Sequence, residues 1–248
     1  MLDHGKFFAE RSGRVKSSII RELLKLGNQP GIISLAGGLP DPDLFPVKEF
    51  KECMDEALNP TNGKIALQYG ETAGYMPFRK SMLELSKKDG IDNIDLDNLI
   101  ITTASQQGIS FMSQVFINNG DVVITEKPTY LSAIQSFTTF GAVFECVNID
   151  EHGAKIDELE GILEKLKSEG KKPKFFYTIP TFQNPGGVCM NIERRRRVLE
   201  LAKEYDFIII EDNPYGDLRY SGEAVPCLKS LDRENERVVY LRTFSKIL

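Results

Sequence analysis

The chain has 248 residues, which is enough to bury a sizeable core in one large domain or two small ones. A hydrophobic fraction of 41% and a charged fraction of 27% are typical of a soluble globular protein. The net charge of -5 argues against a nucleic-acid-binding surface, which needs a basic face. No apolar run has the length of a membrane span or a signal peptide. We expect a cytoplasmic protein that binds neither nucleic acid nor membrane.

The four cysteines stand far apart and include no C-x-x-C pair. They are Cys53, Cys146, Cys189 and Cys227. Because the chain has only two histidines, these residues do not predict a metal site. Reduced cysteines are typical of the cytosol, in agreement with a cytoplasmic location.

The first 45 residues predict an irregular arm rather than a domain. A short amphipathic helix is expected at 18–26, where leucines and isoleucines recur at helical spacing, with Gly27 at its end. Residues 32–40 are followed by Pro42 and Pro46, which prevent regular structure. We therefore expect an arm at 1–45 and one major domain at 46–248.

From residue 99 onward, apolar runs of strand length alternate with helical patterns. The predicted strands are 99–103, 122–125, 143–147, 175–179, 207–210 and 238–241. The predicted helices are 106–117, 130–140, 156–169 and 191–205. Several strands lack polar alternation, as expected where helices cover both faces. The pattern predicts an α/β fold with a mostly parallel, doubly wound sheet, whose ligands bind beyond the carboxyl ends of the strands.

One dense basic run, the four arginines 194–197, lies inside the last predicted helix. Such a run usually forms a solvated helix face or local ion pairs, and we expect one of these here. Contact with nucleic acid is the weaker alternative, because the net charge of the chain is negative.

Hydroxyl and amide side chains follow the first predicted strand, at the start of a helix. Ser105 and Gln106, together with the free N–H groups of a first helical turn, are suited to bind a phosphate. Ser105 as an ordinary N-cap is the alternative. Tyr130 follows the second strand, where a tyrosine is suited either to stack on a flat ligand ring or to pack in the core.

Polar residues also follow the next strands. Asn184 stands in a Gln-Asn-Pro-Gly-Gly turn, where its amide is suited either to donate to a ligand oxygen or to satisfy its own backbone. Glu211 and Asp212 end the fifth strand, and Tyr215 follows them. A buried carboxylate there needs a facing cation, and both a protonated ring nitrogen and an arginine would supply it.

Lys246 follows the last predicted strand and is flanked by the hydroxyl groups of Thr243 and Ser245. A single lysine in this position is often a surface charge, but a lysine near Asp212 is also suited to be a catalytic amine. The chain contains neither G-x-G-x-x-G nor G-x-x-x-x-G-K-[ST], which removes the commonest nucleotide-binding motifs.

Taken in order, these motifs resemble those of the class I and II aminotransferases of pyridoxal-phosphate fold type I. The motifs are Ser-Gln-Gln at 105–107, Pro-Thr-Tyr at 128–130, Gln-Asn-Pro at 183–185, Glu-Asp-Asn-Pro-Tyr-Gly at 211–216 and Thr-Phe-Ser-Lys-Ile-Leu at 243–248. The stretch 33–46 is similar to the subgroup that acts on 2-aminoadipate, kynurenine and other aromatic or branched amino acids. The resemblance covers the whole chain and implies amino-group transfer to a 2-oxo acid such as 2-oxoglutarate, in amino-acid biosynthesis.

The resemblance implies a catalytic role for three residues. Lys246 would hold pyridoxal 5′-phosphate as an aldimine and move the proton at the substrate α-carbon. Asp212 would keep the pyridine nitrogen protonated, which makes the ring an electron sink. Tyr130 would stack on the ring. Asn184 and Tyr215 would hydrogen-bond the phenolic oxygen of the cofactor.

The resemblance also implies the remaining binding residues. Ser105, Gln106, Thr243 and Ser245 would hold the cofactor phosphate. Tyr69 would reach the phosphate of the neighbouring subunit's cofactor in a homodimer, and no metal is implied. Gly38, together with Asn184, would contact the substrate.

The chain departs from the family pattern in two minor ways and one major way. Ala104 stands where a glycine is common, and Gly186 replaces a threonine of the usual turn. The printed sequence stops two residues after Lys246, before the strand that the family places between the first and last predicted strands. We therefore expect a gap in the sheet, no C-terminal small domain, and little transaminase activity of these 248 residues alone.

Three alternatives remain open at this point. The chain would be an inactive truncated fragment of such an enzyme if residual cofactor affinity were all that it kept. Another pyridoxal-phosphate enzyme, such as a lyase or decarboxylase, shares these motifs, because the substrate side of the site sets the reaction. The effector domain of a transcription regulator is disfavoured by the short arm and the negative charge.

Overall fold

The computed structural model describes residues 2–15, 31–33 and 40–247. These residues belong to two compact units, which divide after Gly70. The helix predicted at 18–26 and the substrate-contacting residue predicted at Gly38 lie outside the described residues. No helix in the described ranges is both long enough and apolar enough to cross a membrane.

The first unit is helical in its described parts. Three 3-10 turns, His4–Phe7, Glu10–Arg14 and Pro42–Leu44, precede helix α1 (Val47–Ala57) and helix α2 (Gly63–Ala66). The carboxylates of Asp3 and Asp41 cap two of these turns by accepting a backbone N–H. In the described residues before 47, short 3-10 turns, two of them with capped amino ends, are the secondary structure present.

The second unit carries the remaining elements, in the chain order expected for an α/β fold. The helices are α3 (Met76–Lys88), α4 (Ala104–Phe116), α5 (Leu131–Thr139), α6 (Ile156–Ser168), α7 (Ile192–Glu204) and the short α8 (Leu228–Leu231). The strands are β1 (Val122–Lys127), β2 (Val143–Asp150), β3 (Gly153–Ala154), β4 (Pro173–Thr178), β5 (Ile208–Asn213) and β6 (Val238–Arg242).

The six strands form one sheet in the order β3-β2-β1-β4-β5-β6. Every neighbouring pair is parallel except β2 and β3. The predicted α/β class with a mostly parallel, doubly wound sheet is therefore confirmed. Because the five long strands run in one direction, their carboxyl ends meet at one edge of the sheet.

Alternate residues of the central strands face two separate layers of helices. Val122, Phe176 and Ile209 pack with residues of α6, α7 and α8 in one buried cluster. Val123 and Ile210, on the opposite face, pack with residues of α4 and α5 in another. Burial of both faces explains why these strands are apolar without alternation.

The predicted strand at 99–103 is wrong, because these residues belong to no strand. Strand β6 is the edge of the sheet, and a groove separates it from this segment. Leu99 and Thr102 line the groove together with Val238 and Tyr240. Without a neighbouring strand at pairing distance, an apolar β-prone segment cannot form a ladder. The groove is the gap that the sequence analysis expected.

Helix α4 packs against β6 at Gly108. A Cβ atom at Gly108 would lie 2.9 Å from Cδ2 of Leu241. This close approach keeps the amino end of α4 beside the end of β6. The two loops that the sequence analysis assigned to phosphate binding, at 104–106 and 243–245, are thereby brought to one place.

The arginine run on α7 combines three environments. Arg194 forms an ion pair with Asp150, and Arg197 forms one with Glu160, as expected for a solvated helix face. Arg196 is exposed. Arg195 departs from the expectation, because its side chain is completely buried. The reason is helical periodicity, which turns one residue of any four toward the sheet.

Arg195 joins three separate segments of the chain. Its guanidinium donates to the carbonyl oxygens of Met190, Pro180 and Pro226, and to Thr181 Oγ1. It also lies 4.0 Å from the buried carboxylate of Glu211. Satisfied hydrogen bonds and a facing carboxylate are what allow a charged group to be buried.

We expect Arg195→Met to lower the free energy of unfolding by about 3–5 kcal/mol, because the substitution leaves Glu211 and several carbonyls without their cationic partner. Arg196→Met, one residue along the same run, should change it by less than about 0.5 kcal/mol. Urea denaturation of both variants measures this difference. Equal stabilities would show that the buried guanidinium does not join these segments.

Candidate cofactor-binding site

Residues from five separate loops line one cavity of about 200 Å³ at the carboxyl ends of the strands. The predicted site residues that line it are Ser105, Gln106, Tyr130, Asn184, Asp212, Tyr215, Thr243, Ser245 and Lys246. Ala104, Ile179 and Pro214 complete the lining. The structure thus brings together every predicted site residue that lies in the second unit. Tyr69 belongs to the first unit, where its side chain is exposed.

Asp212 is a buried carboxylate, and only one of its two oxygens has a hydrogen-bond partner among the described residues. It lies near the end of β5 and is only 2% exposed. Its Oδ2 accepts a hydrogen bond of 2.7 Å from the hydroxyl of Tyr177. Its Oδ1 is buried and has no partner among the residues that the structure describes. Burial raises the pKa of Asp212 to about 6, although the bond from Tyr177 opposes the rise.

Glu211 and Asp212 point to opposite faces of the sheet, and of the two carboxylates only Glu211 lies near an arginine among the described residues. Glu211 faces α8, where it accepts the backbone N–H groups of Leu228 and Lys229 and lies near Arg195. Burial raises the pKa of Glu211, and the charge of Arg195 opposes this. Asp212 lines the cavity without an arginine. Its free oxygen is suited to accept from a protonated ring nitrogen.

The amide of Asn184 points into the site instead of bonding its own backbone. Its Nδ2 donates to the hydroxyl of Tyr215 over 3.0 Å. The turn around it is closed by Gln183, whose N–H donates to Val188 and whose carbonyl accepts from Gly187. Burial raises the pKa of Tyr215, so its phenol keeps its proton at neutral pH. Amide and phenol together can offer donors to a single ligand oxygen.

Glu126 is a buried residue of this region that the sequence analysis missed. Its carboxylate accepts from Thr178 Oγ1 at 2.5 Å, from the N–H of Ile179 at 3.2 Å and from Gln183 Nε2 at 3.1 Å. Burial raises its pKa, and these bonds oppose the rise. The sequence did offer a signal for this buried residue, namely a glutamate near the end of an apolar strand, two residues before a proline.

Gln183 carries the connection from Glu126 to the two loops beside it. Its Nε2 also donates to the carbonyl of Pro128, two residues before Tyr130. Its Oε1 accepts the N–H of Gly186 in the turn that holds Asn184. A Cβ at Gly186 would lie 2.8 Å from that Oε1 and 2.5 Å from Ile149 Cδ1, so a larger residue here requires both side chains to shift.

The amino end of α4 lies at the cavity, and no side chain caps it. Thr103 is the N-cap residue and makes no side-chain cap bond, so the N-cap alternative for Ser105 is wrong. Ser105 and Gln106 stand in the first turn and line the cavity. Uncapped N–H groups and the helix dipole favour an anion there.

The loop after β6 also contributes to this anion-binding region. We call the region formed by residues 105, 106, 243 and 245 the anion corner. The hydroxyls of Thr243 and Ser245 lie 2.7 Å apart, and the N–H of Ser245 donates to Thr243 Oγ1. Tyr130 donates from its hydroxyl to Gln106 Oε1 at 3.3 Å, which ties the aromatic residue to the same corner. Lys246 follows and is exposed to solvent. Amine, hydroxyls and a helix amino end therefore surround one space.

A buried acid with a free oxygen, a facing aromatic ring, an anion corner and an adjacent amine form the kind of site that takes a flat, phosphorylated, nitrogen-containing ring. The sequence profile described as aminotransferase class I and II matches residues 31–248. The chain belongs to this family. Family membership implies pyridoxal 5′-phosphate as the cofactor, and the residues of the cavity fit it, because Asp212 Oδ1 is a buried acceptor that lacks a donor.

Relatives and solved structures agree with the family. The aromatic-amino-acid aminotransferase 1 of Thermococcus litoralis is 49% identical over 100% of this chain and 59% of its own. The 2-aminoadipate transaminase of Thermus thermophilus is 38% identical over 100% of this chain and 60% of its own. A kynurenine aminotransferase structure from Pyrococcus horikoshii superposes with a TM-score of 0.92 and 47% identity, over 99% of this chain and 60% of that one. The chain spans about 60% of the length of the relatives it matches.

The raised pKa of Asp212 predicts a stability that depends on pH. The folded protein holds this proton more tightly than the unfolded chain, so wild-type stability falls as pH rises from the ordinary pKa of 3.8 to about 6. Asp212→Asn removes this loss. In cofactor-free protein, the stability of the variant relative to wild type should therefore increase by about 2 kcal/mol between pH 4.5 and 7.5.

Urea denaturation of wild type and Asp212→Asn at both pH values measures this change. Asp206→Asn is the control, because Asp206 is exposed and pairs with Lys172 and Arg237 at the surface. A difference between wild type and Asp212→Asn that stays constant with pH would contradict the burial of the charged carboxylate.

Glu126→Gln should weaken pyridoxal phosphate binding about tenfold, because loss of one charged acceptor releases the Gln183 bridge between the loops of Tyr130 and Asn184. Glu211→Gln is the matched control, since Glu211 is equally buried at the end of a strand but faces α8. Both substitutions should lower stability, and a titration followed by absorbance separates their effects on the cofactor. Equal affinities in the two variants would contradict the role of Glu126.

Proposed function

We propose that this chain is the cofactor-binding part of a pyridoxal-phosphate-dependent aminotransferase. Its reaction would move an amino group between an amino acid of the 2-aminoadipate, aromatic or branched type and a 2-oxo acid such as 2-oxoglutarate. The observation that carries the proposal is one cavity lined by Asp212, whose Oδ1 has no partner among the described residues, by Lys246 and by the anion corner. The names of the relatives support the 2-aminoadipate and aromatic types among these substrates.

The cofactor, when bound, supplies an electron sink for the charge that is left on the substrate α-carbon. Asp212 Oδ1 would accept the ring N–H and keep that nitrogen protonated, through a charge-assisted bond to a buried carboxylate. Lys246 Nζ holds the cofactor and moves the proton to and from the substrate α-carbon. Tyr130 stacks on the ring face and excludes water from it.

The remaining side chains orient the cofactor. Asn184 and Tyr215 would both donate to its phenolic oxygen. The hydrogen bond between their side chains holds them in position for this role. Ser105, Gln106, Thr243 and Ser245 bind the phosphate together with the amino end of α4. Substrate contact is assigned to Asn184, and to Gly38 on the family resemblance alone.

The proposal includes a homodimer, in which Tyr69 of one subunit contributes to the phosphate site of the other. Support comes from the position of Tyr69, whose side chain is 99% exposed and so is free to contact another chain. A cytoplasmic location is part of the same proposal. It is supported by the four cysteines, which form no disulfide with one another.

A titration with pyridoxal phosphate tests the assignment of Lys246. Wild type should develop the visible absorbance band of the lysine-bound cofactor, and Lys246→Ala should not, because only an amine forms that bond. Lys229→Ala is a control, since Lys229 is buried away from the cavity, where it donates to Val238. A visible band of equal strength in wild type and Lys246→Ala would remove Lys246 from this role.

The reaction class is tested by the products formed from the amino-acid panel named by the relatives. Transfer of the amino group to 2-oxoglutarate supports the proposal. Release of ammonia or carbon dioxide would instead indicate a lyase or a decarboxylase, and cofactor binding without turnover would indicate a fragment that binds but does not react. Binding to duplex DNA that weakens with salt would indicate a regulatory protein.

A further inference from the structure

Tyr177 is a buried residue whose hydroxyl reaches the acid of the site, although it does not line the cavity. It stands on β4 opposite Ile210 of β5, in a parallel register. Asp212 lies two residues beyond Ile210, and therefore on the same face of the sheet. The Tyr177 ring packs edge-on against Phe137 of α5, with ring centroids 5.4 Å apart. Packing and register together fix where the hydroxyl is placed.

The bond from Tyr177 divides the two oxygens of Asp212 between the protein and the cavity. Oδ2 receives the phenol O–H at 2.7 Å, while Oδ1 has no partner within the described part of the chain. A carboxylate with one fixed oxygen cannot rotate without breaking this bond. The free oxygen is therefore held in one direction before any ligand arrives, which reduces the entropy lost on binding.

We propose that Tyr177 is a positioning residue for Asp212: its hydroxyl holds one carboxylate oxygen so that the other meets the ring nitrogen of the cofactor. The inference rests on the proposed function and deepens it, because it adds a residue that touches neither cofactor nor substrate. Tyr177 acts through Asp212 alone.

The electrostatics of the site agree with this role. Burial, together with the charges of Asp212 and Glu126, raises the pKa of Tyr177 well above its ordinary value, so the phenol stays a donor at neutral pH. Its bond lowers the pKa of Asp212 against the effect of burial. Tyr130, Tyr215 and Lys246 line the cavity that Asp212 also lines. None of these three bonds the Asp212 carboxylate; among the described residues, Tyr177 is the side chain that does.

A purely structural role would also explain a buried phenol that bonds a carboxylate, since a buried hydroxyl needs a partner. The chain offers a matched control for this possibility. Tyr240 on β6 is a half-buried phenol, and its hydroxyl donates to Asp89 over 3.0 Å and accepts from Asn213. Tyr240→Phe removes a bond of the same type without touching Asp212.

The test compares wild type, Tyr177→Phe and Tyr240→Phe in three measurements. Urea denaturation gives stability, an absorbance titration gives the Kd for pyridoxal phosphate, and nitrogen-15 NMR of ring-labelled cofactor reports the protonation of its ring nitrogen. We expect Tyr177→Phe to weaken binding about tenfold and to shift the nitrogen signal toward the unprotonated form. Tyr240→Phe should lose stability but keep the wild-type Kd and nitrogen signal.

A double-mutant cycle with Asp212→Asn tests whether the effect passes through Asp212. If it does, adding Tyr177→Phe to Asp212→Asn should leave the Kd unchanged within about twofold. Should Tyr177→Phe fail to fold, 3-fluorotyrosine at position 177 keeps the shape and strengthens the donor. It should then move the nitrogen signal in the opposite direction, toward the protonated form.

Two failures are distinguishable. A wild-type protein that does not bind pyridoxal phosphate contradicts the proposed function. A wild type that binds it, with the same Kd and nitrogen signal in Tyr177→Phe, contradicts only the role of Tyr177. Additive effects in the double-mutant cycle would also overturn that role.

Discussion

The site depends on a carboxylate that is buried before its cationic partner is present. Asp212 is almost fully buried at the end of a central strand, and one of its oxygens has no donor among the described residues. Such a group costs stability in the cofactor-free protein, as its raised pKa reflects. A protonated ring nitrogen that faces the carboxylate would remove this cost, and the recovered free energy would favour cofactor binding. The protein thus loses some stability, but its hydrogen-bond acceptor is in position before the cofactor binds.

The loops around this carboxylate are held by other buried polar groups rather than by regular secondary structure. Glu126 and Gln183 join the segment before Tyr130 to the turn of Asn184. Arg195 fixes the segment at Pro180 and Thr181 on the other face of the sheet. Because each of these groups has several partners on different elements, a displacement of one loop leaves buried donors or acceptors unsatisfied. The cost of that loss keeps the cavity in one shape.

The sheet explains why residues so distant in sequence form one site. Five parallel strands present their carboxyl ends at a single edge, so the residues just after each strand become neighbours. Helix α4 completes the arrangement, because it packs against β6 at Gly108 and places its amino end at the cavity. The anion corner is therefore made by helix packing as much as by the hydroxyl side chains around it.

The sequence by itself determined the α/β class, most of the strands, and the residues at the cavity, since apolar periodicity and the order of polar residues after strands are local patterns. It did not determine that residues 99–103 stay unpaired, because pairing needs a neighbouring strand. The roles of Tyr177, Glu126 and the buried Arg195 also required the tertiary structure. Their partners lie 35, 52 and 15 residues away along the chain, a separation that no local pattern encodes. Only the register of the sheet and the packing of the helices decided which polar side chains meet.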